Sequence, residues 1–273
     1  MSAFDPLRTF KPGCILWVRG SGGAMFRLMR LKPPNGWGAV IWELAIVTAG
    51  VLIALAAQQW AEERNWDAKV RASRGALRQE LSHHYAWAVE WRIVQPCLLA
   101  QVAGLTERVL SSGAKLEPAP LLTEDNRTFV MRLPSKDYNR GAYDSAIADG
   151  VASRFDLAFR SRMTEHYGIA ATMVELTQKV DEAGQEQLAL AAALPLDPSV
   201  RFQLVEKLYR LQGRIAFMDL LAGQMLDHIA AVGMIPEAAQ ARREATRWGT
   251  YRFCHAQRLP LRSFADASRP VPN

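Results

Sequence analysis

Five histidines, three cysteines and a scatter of carboxylates are the side chains in this 273-residue chain that could do chemistry. His83 and His84 are the first pair to consider as metal ligands. Adjacent helical residues point about 100° apart, so two in a row rarely meet one ion. His84 falls seven residues after Leu77 on an apolar face, so a satisfied, partly buried histidine is the expected state. His166, His228 and His255 show no ligand spacing, and no metal site is expected. Cys14, Cys97 and Cys254 lack the Cys-x-x-Cys pattern, and no Gly-x-Ser-x-Gly element is present. Gly20-Ser21-Gly22-Gly23 lacks the Lys-Ser/Thr that completes a phosphate loop. The sequence therefore predicts no catalytic and no cofactor-binding residues. An enzyme would need a site assembled from distant positions, with Glu90, Arg92, His84, Asp144 and His166 as its material.

The polar and aromatic stretch from Asp137 to Asp144 is the best candidate for a contact surface, through Tyr138, Arg140, Tyr143 and Asp144. The competing reading is a helix entry with its charges in solvent.

Charge separates the chain into two parts. Residues 1–43 carry six basic and two acidic groups, and the remainder carries 27 basic and 25 acidic groups. The excess lies in the leader, so no nucleic-acid surface is expected on the folded part. A basic leader beside an apolar run is a membrane pattern. That run is Leu44 to Trp60, 17 residues without a charge. As a helix it is about 26 Å long, the lower edge of what spans a bilayer. Trp37, Trp42, Trp60 and Trp66 bracket it as two aromatic belts. The lipid bilayer is thus the first expected partner.

The elements that would carry these residues are helical. Residues 1–35 read as a disordered basic leader rich in Pro and Gly, with Met25 as an alternative start. Residues 36–60 read as the transmembrane helix. The bundle domain is expected over 61–248. Val70, Leu77, Leu81, Ala88 and Trp91 mark its first amphipathic helix, which Pro96 should end or kink. A second helix is expected from Cys97 to Ser112, a short extended piece at Arg127 to Leu133, and a short helix from Tyr138 to Asp149. Two long helices follow, about Ser153 to Leu194 and from Asp197 onward, with Asp197 as N-cap and Pro198 at N1. Leu204, Leu208, Leu211, Ile215, Met218, Ala222, Met225, Ile229 and Val232 alternate steps of four and three along the second. The short Leu194-Pro195-Leu196 link makes the pair an antiparallel hairpin. Asp219, Asp227 and His228 are expected on its outer side. A last helix is expected over 236–248, and 249–273 as a coil tail. The fold class is all-α: one N-terminal transmembrane helix continuing into an extramembrane helical bundle.

Glu43 opens the apolar run, Gly50-Val51-Leu52-Ile53-Ala54-Leu55 forms its core, and Trp60 with Glu62 closes it. In these features the anchor resembles that of uncharacterised bacterial single-pass membrane proteins, a domain of unknown function. Gln58-Gln59 stands where that family usually carries two asparagines. The resemblance implies a retained inner-membrane helix and an extramembrane helical domain, and it brings no activity. Glu43 either reaches the headgroups or contacts a partner helix within the membrane.

Two alternatives bear on placement. Ala54-Leu55-Ala56 fits a signal cleavage pattern, but the aromatic-flanked run favours retention. The residues just after the run are more basic than those just before it, yet long domains cross regardless of such counts. The expected topology is a cytoplasmic N-terminus with the domain in the periplasm. There Cys97 and Cys254, an even pair, would form a disulfide, while Cys14 stays on the other side. The expected function is an anchored scaffold, interaction or sensor-like module, with a protein partner or homo-oligomer joined through the transmembrane or juxtamembrane helix. A tethered enzyme or a ligand-binding bundle is the alternative.

Overall fold

The computed structural model describes residues 37–124 and 127–271. The expected leader, with Cys14, the glycine cluster at 20–23 and Met25, lies outside the described residues. Helix dominates what is described, so the chain is all-α, with one two-stranded ribbon. It divides into two compact units, residues 1–59 and 60–273.

The described part of the first unit is helical throughout. It belongs to α1, Trp37–Ser111, whose residues from 60 onward lie in the second unit. An 18-residue window of α1 has a mean hydropathy of 2.3 and none of it is buried. Length and composition therefore allow α1 to cross a membrane.

The second unit is a helical bundle. After α1 come β1, Leu122–Glu124, and β2, Arg127–Phe129, paired antiparallel with Leu122 opposite Phe129. Then follow α2, Gly141–Ala148, a 3-10 turn at Val151–Arg154 and α3, Leu157–Glu186. A second 3-10 turn, Gln187–Ala191, leads to α4, Pro198–Ala231. Three short helices finish the chain: α5, Ala238–Thr246, α6, Gly249–Ala256, and α7, Phe264–Ala267.

Cap chemistry sets the long-helix boundaries. The Asp156 carboxylate accepts from Phe159 N at 2.8 Å and starts α3, so the helix expected from Ser153 begins four residues later. The Asp197 carboxylate accepts from Ser199 N and Val200 N at the start of α4, behind Pro198 at N1. Lys207 meets Glu186 at 3.0 Å, Arg214 donates to the Lys179 carbonyl at 3.2 Å, and His228 faces Glu165 at 3.7 Å. Residue numbers climb on α4 as they fall on α3, so the two helices are antiparallel. Leu208, Leu211, Ile215, Met218, Ala222, Met225 and Ile229 of the expected seam are buried in the core.

Four expectations change. Pro96 does not end α1, which continues to Ser111. Proline removes the N–H that would reach the Arg92 carbonyl. Beside that gap the main-chain N–H of Arg262 donates to the Ile93 carbonyl at 3.0 Å, a donor from far along the chain. The 249–273 segment is not a coil, because it holds α6 and α7. It lies across the bundle as a strap. The Arg262 guanidinium grips Asp219 at 2.8 and 3.1 Å, and Val271 N donates to the Gly223 carbonyl at 3.2 Å. Asp219 is therefore a strap anchor and not a solvated outer charge. His228 is fully buried, also against expectation.

Gly223 has a packing reason. A Cβ there would stand 2.6 Å from Cγ2 and 2.9 Å from Cβ of Val271. Gly223→Ala should lift the end of the strap, cost about 1–3 kcal/mol and speed proteolysis within 258–271. Thermal denaturation and limited proteolysis read both effects. Unchanged values would show that Val271 is not held there.

The C-terminal end of α1 is closed by Arg201 of α4. Its guanidinium donates to the carbonyls of Val109, Leu110, Ser112 and Gly113. The Val109 and Leu110 carbonyls belong to the last turn, which offers them no intrahelical partner, and those of Ser112 and Gly113 follow directly after it. Arg201→Ala should cost about 1–3 kcal/mol in denaturant unfolding. Arg201→Lys should recover only part of it, because one ammonium cannot span four acceptors.

Candidate functional site

Three buried polar clusters hold the second unit together, and two of them use α1 between Glu80 and Glu90. Along this stretch Leu77, Leu81, Val89 and Trp91 are buried, so every polar side chain in register with them enters the core.

The first cluster begins at Glu80. Its carboxylate accepts from Ala142 N at 2.8 Å, which ties α1 to the first turn of α2. The same carboxylate accepts from the Tyr167 hydroxyl of α3. Tyr167 in turn stacks on Tyr143 at 4.2 Å. Burial, with the Glu80 contact adding to it, pushes the Tyr167 phenol up.

One turn further on, His84 Nε2 donates to the Asn139 carbonyl at 2.8 Å. A neutral His84 then presents its Nδ1 as acceptor, and His166 Nε2 lies 2.9 Å away to donate. Both rings are fully buried. Tyr138 packs edge-on to His84, and Trp87 stacks on His84 and stands edge-on to Tyr138. His166 and His228 have ring centroids 6.4 Å apart, so three histidines from α1, α3 and α4 line up through the core. Burial lowers the pKa of His84 to about 4, opposed by the Asn139 carbonyl and helped by His83. Burial takes His166 well below the usual imidazole range, aided by its two histidine neighbours and opposed by the Met225 carbonyl. Burial also lowers His228, against the pull of Glu165. The pair is an uncharged hydrogen-bonded unit near neutral pH.

The second cluster is an ion pair. Lys136 Nζ lies 2.8 Å from the fully buried Glu90 carboxylate and 3.7 Å from the Trp248 ring centroid. Burial pushes the Glu90 carboxyl up to about 7, with Lys136 and then Arg132 pulling it back. Burial likewise lowers Lys136, countered by Glu90. The third cluster is the strap anchor, where Asp219 also faces Arg92 at 3.7 Å.

The contact surface read from Tyr138 to Asp144 is thus divided. Tyr138 is a core residue, so it offers no surface to a partner. Tyr143 is half-buried on Tyr167. Arg140 and Asp144 stay in solvent and pair with each other at 3.1 Å. Glu43 lies exposed on α1 in the first unit. Cys97 and Cys254 are joined by a disulfide, S–S 2.09 Å with Cα atoms 6.0 Å apart, linking α1 to α6.

Material for an enzyme does not converge. His84 and His166 meet, but Glu90 goes to Lys136, Arg92 to Asp219, and Asp144 to Arg140. The surface grooves have other walls. One of about 560 Å³ lies between Met131, Leu133, Asp181, Gly184 and Leu188. Another of about 640 Å³ lies between Lys69, Ala76, Ala142, Asp149 and Val151. Among the described residues no group of three or more His, Cys, Asp or Glu side chains is placed to hold a metal ion.

Sequence reading missed Glu80, Lys136 and Trp248. Glu80 had a signal, since it lies three after Leu77 and four before His84 on the apolar face. Lys136 and Trp248 had none, because the two lie 112 positions apart in sequence and Glu90 lies on a third element. Comparison of the chain with protein-family models, with curated proteins and with solved structures found no match.

Proposed function

We propose that the chain is a single-pass membrane protein whose helical unit is an interaction or sensor-like module without catalysis. The observation that carries this reading is the apolar window of α1, none of which is buried by the rest of the protein. An uncovered surface of that size and hydropathy is stable in lipid and costly in water. Trp37, Trp42 and Trp60, exposed along the same helix, suit the two interfaces. Arg64 stacks on Trp60 at the end of the run, where cationic and aromatic groups meet headgroups, whereas Trp66 of the expected belt packs against the bundle core under Lys69 and Arg154.

The disulfide supports placing the helical unit in an oxidising compartment, hence across the membrane from a cytoplasmic N-terminus. In a bacterial cell this is the periplasmic side of the inner membrane. The full burial of His84 and His166 supports a structural role for them over a catalytic one, because no substrate reaches them without opening the core.

Extraction of membranes at high pH tests the anchor. The full chain should stay with the lipid pellet, and release into the supernatant would overturn the reading. Crosslinking and capture from the same membranes then tests the module, with a stable partner or a second copy as the expected product.

A further inference from the structure

One face of α4 is used by the bundle, and a second apolar face is not. Phe202, Tyr209, Phe217 and Leu220 remain 69, 56, 47 and 43% exposed. Phe202, Glu206, Tyr209, Gly213, Ala216 and Leu220 follow one another at steps of four, three, four, three and four. That spacing is a straight helical seam of the kind that packs on another helix. It continues past Phe202 onto Leu110 and Pro198, which line a groove with it. A single charge, Glu206, lies in the seam, and Arg210 neutralises it.

We propose that this face is where two copies of the chain associate, with their α4 helices crossing antiparallel about Leu211. Three observations select a second copy. The first is size. Leu110, Phe202, Tyr209, Phe217 and Leu220 leave roughly 500 Å² of apolar surface open, the upper range for a patch on a monomer. A standard interface takes about 800 Å² from each partner, a little over half of it apolar, so the patch matches one half of such an interface.

The second is shape. Turned antiparallel about position 211, Phe202 meets Leu220 of the copy, and Tyr209 meets Gly213. Large falls on small at the centre and apolar on apolar at the ends. A Cβ at Gly213 would touch nothing within 4 Å, so the space above it is free to take an aromatic ring. The third is charge. Each Glu206 is already paired within its own chain, so two identical faces meet without repulsion. This interface touches α1 only at Leu110, far from its apolar run, and does not rest on the membrane reading.

Engineered cysteines test the proposal in the full chain, purified in detergent on a Cys14→Ser background. One tagged copy carries Glu206→Cys and the other Ala216→Cys, two positions that should face each other. Mild oxidation should give a mixed dimer at least about tenfold more abundant than the pair Lys207→Cys with Ala216→Cys, which points a residue off the seam. Adding Tyr209→Asp and Phe217→Asp should weaken the association at least about 30-fold, the scale of losing a hot spot. Retention of the Cys97–Cys254 bond and of the helical spectrum shows that the variant is folded. Absence of the mixed dimer, or equal yields from Lys207→Cys, would overturn the proposal. So would preferential crosslinking to another polypeptide or to residues 1–36 of the same chain.

Discussion

Cys254→Ser should lower the stability of the helical unit by about 2–5 kcal/mol, the usual cost of losing a native disulfide. The bond spans a sequence separation of 157, for which the chain-entropy model gives about 5 kcal/mol as an upper figure. It ties α6 to α1 at Cys97, immediately after Pro96, where the strap also supplies the Arg262 N–H to Ile93. Loss of the bond should therefore loosen α6 and the strap together. Cys97→Ser, Cys254→Ser and the double variant should all unfold at the same denaturant concentration, because each breaks the same bond. Reductant should bring the unaltered chain to that midpoint and leave the variants unmoved. Equal midpoints for the oxidised and reduced chain would remove the disulfide from the account of stability.

The buried histidines should make the unit acid-sensitive in a defined window. An imidazole whose folded pKa is depressed binds its proton more readily in the unfolded chain. Its stability contribution is complete above about pH 6.5 and is lost as pH falls toward about 4, the folded value of His84. That shift alone is worth about 3 kcal/mol, and His166 acts in the same direction.

Glu90 opposes it. With its folded pKa pushed up to about 7, its favourable contribution is complete below the unfolded carboxylate value and is lost as pH rises through 7. Glu90→Gln should therefore steepen the acid loss between about pH 7 and 4.5, while replacement of His84 and His166 by Leu and Gln should flatten it. Denaturant midpoints measured across this range give the slopes. A shallower acid loss in Glu90→Gln would contradict the assignment of the two groups.

The sequence told most about helices that close on local signals. Asp197 with Pro198 and the uninterrupted steps from Leu208 to Ile229 placed α4 almost to the residue, since both the cap and the period are written in consecutive positions. The errors fell where a distant residue decides. Pro96 reads as an end or a kink, and the end is ruled out only by a continuing helix beside which Arg262 provides a donor. The tail reads as coil because its prolines are visible and its grip on Asp219 and Gly223 is not. His84 was legible as a satisfied, partly buried histidine from its register with Leu77, and its burial is in fact complete. Its partner His166 was not, because 82 positions separate them and only the packing of α1 on α3 brings the rings together. Tyr138 looked like surface for the same reason, as its burial depends on Trp87 and His84 of another element.

The proposed placement of the helical unit across a membrane from the N-terminus is tested most directly by a reporter fused after Asn273. With a phosphatase that folds only after export, the account predicts full activity in membranes that retain the fusion at high pH, and a Cys97–Cys254 bond trapped intact by alkylation in the same cells. Activity only from a reporter that works in the cytoplasm, with both cysteines alkylated as free thiols, would contradict it.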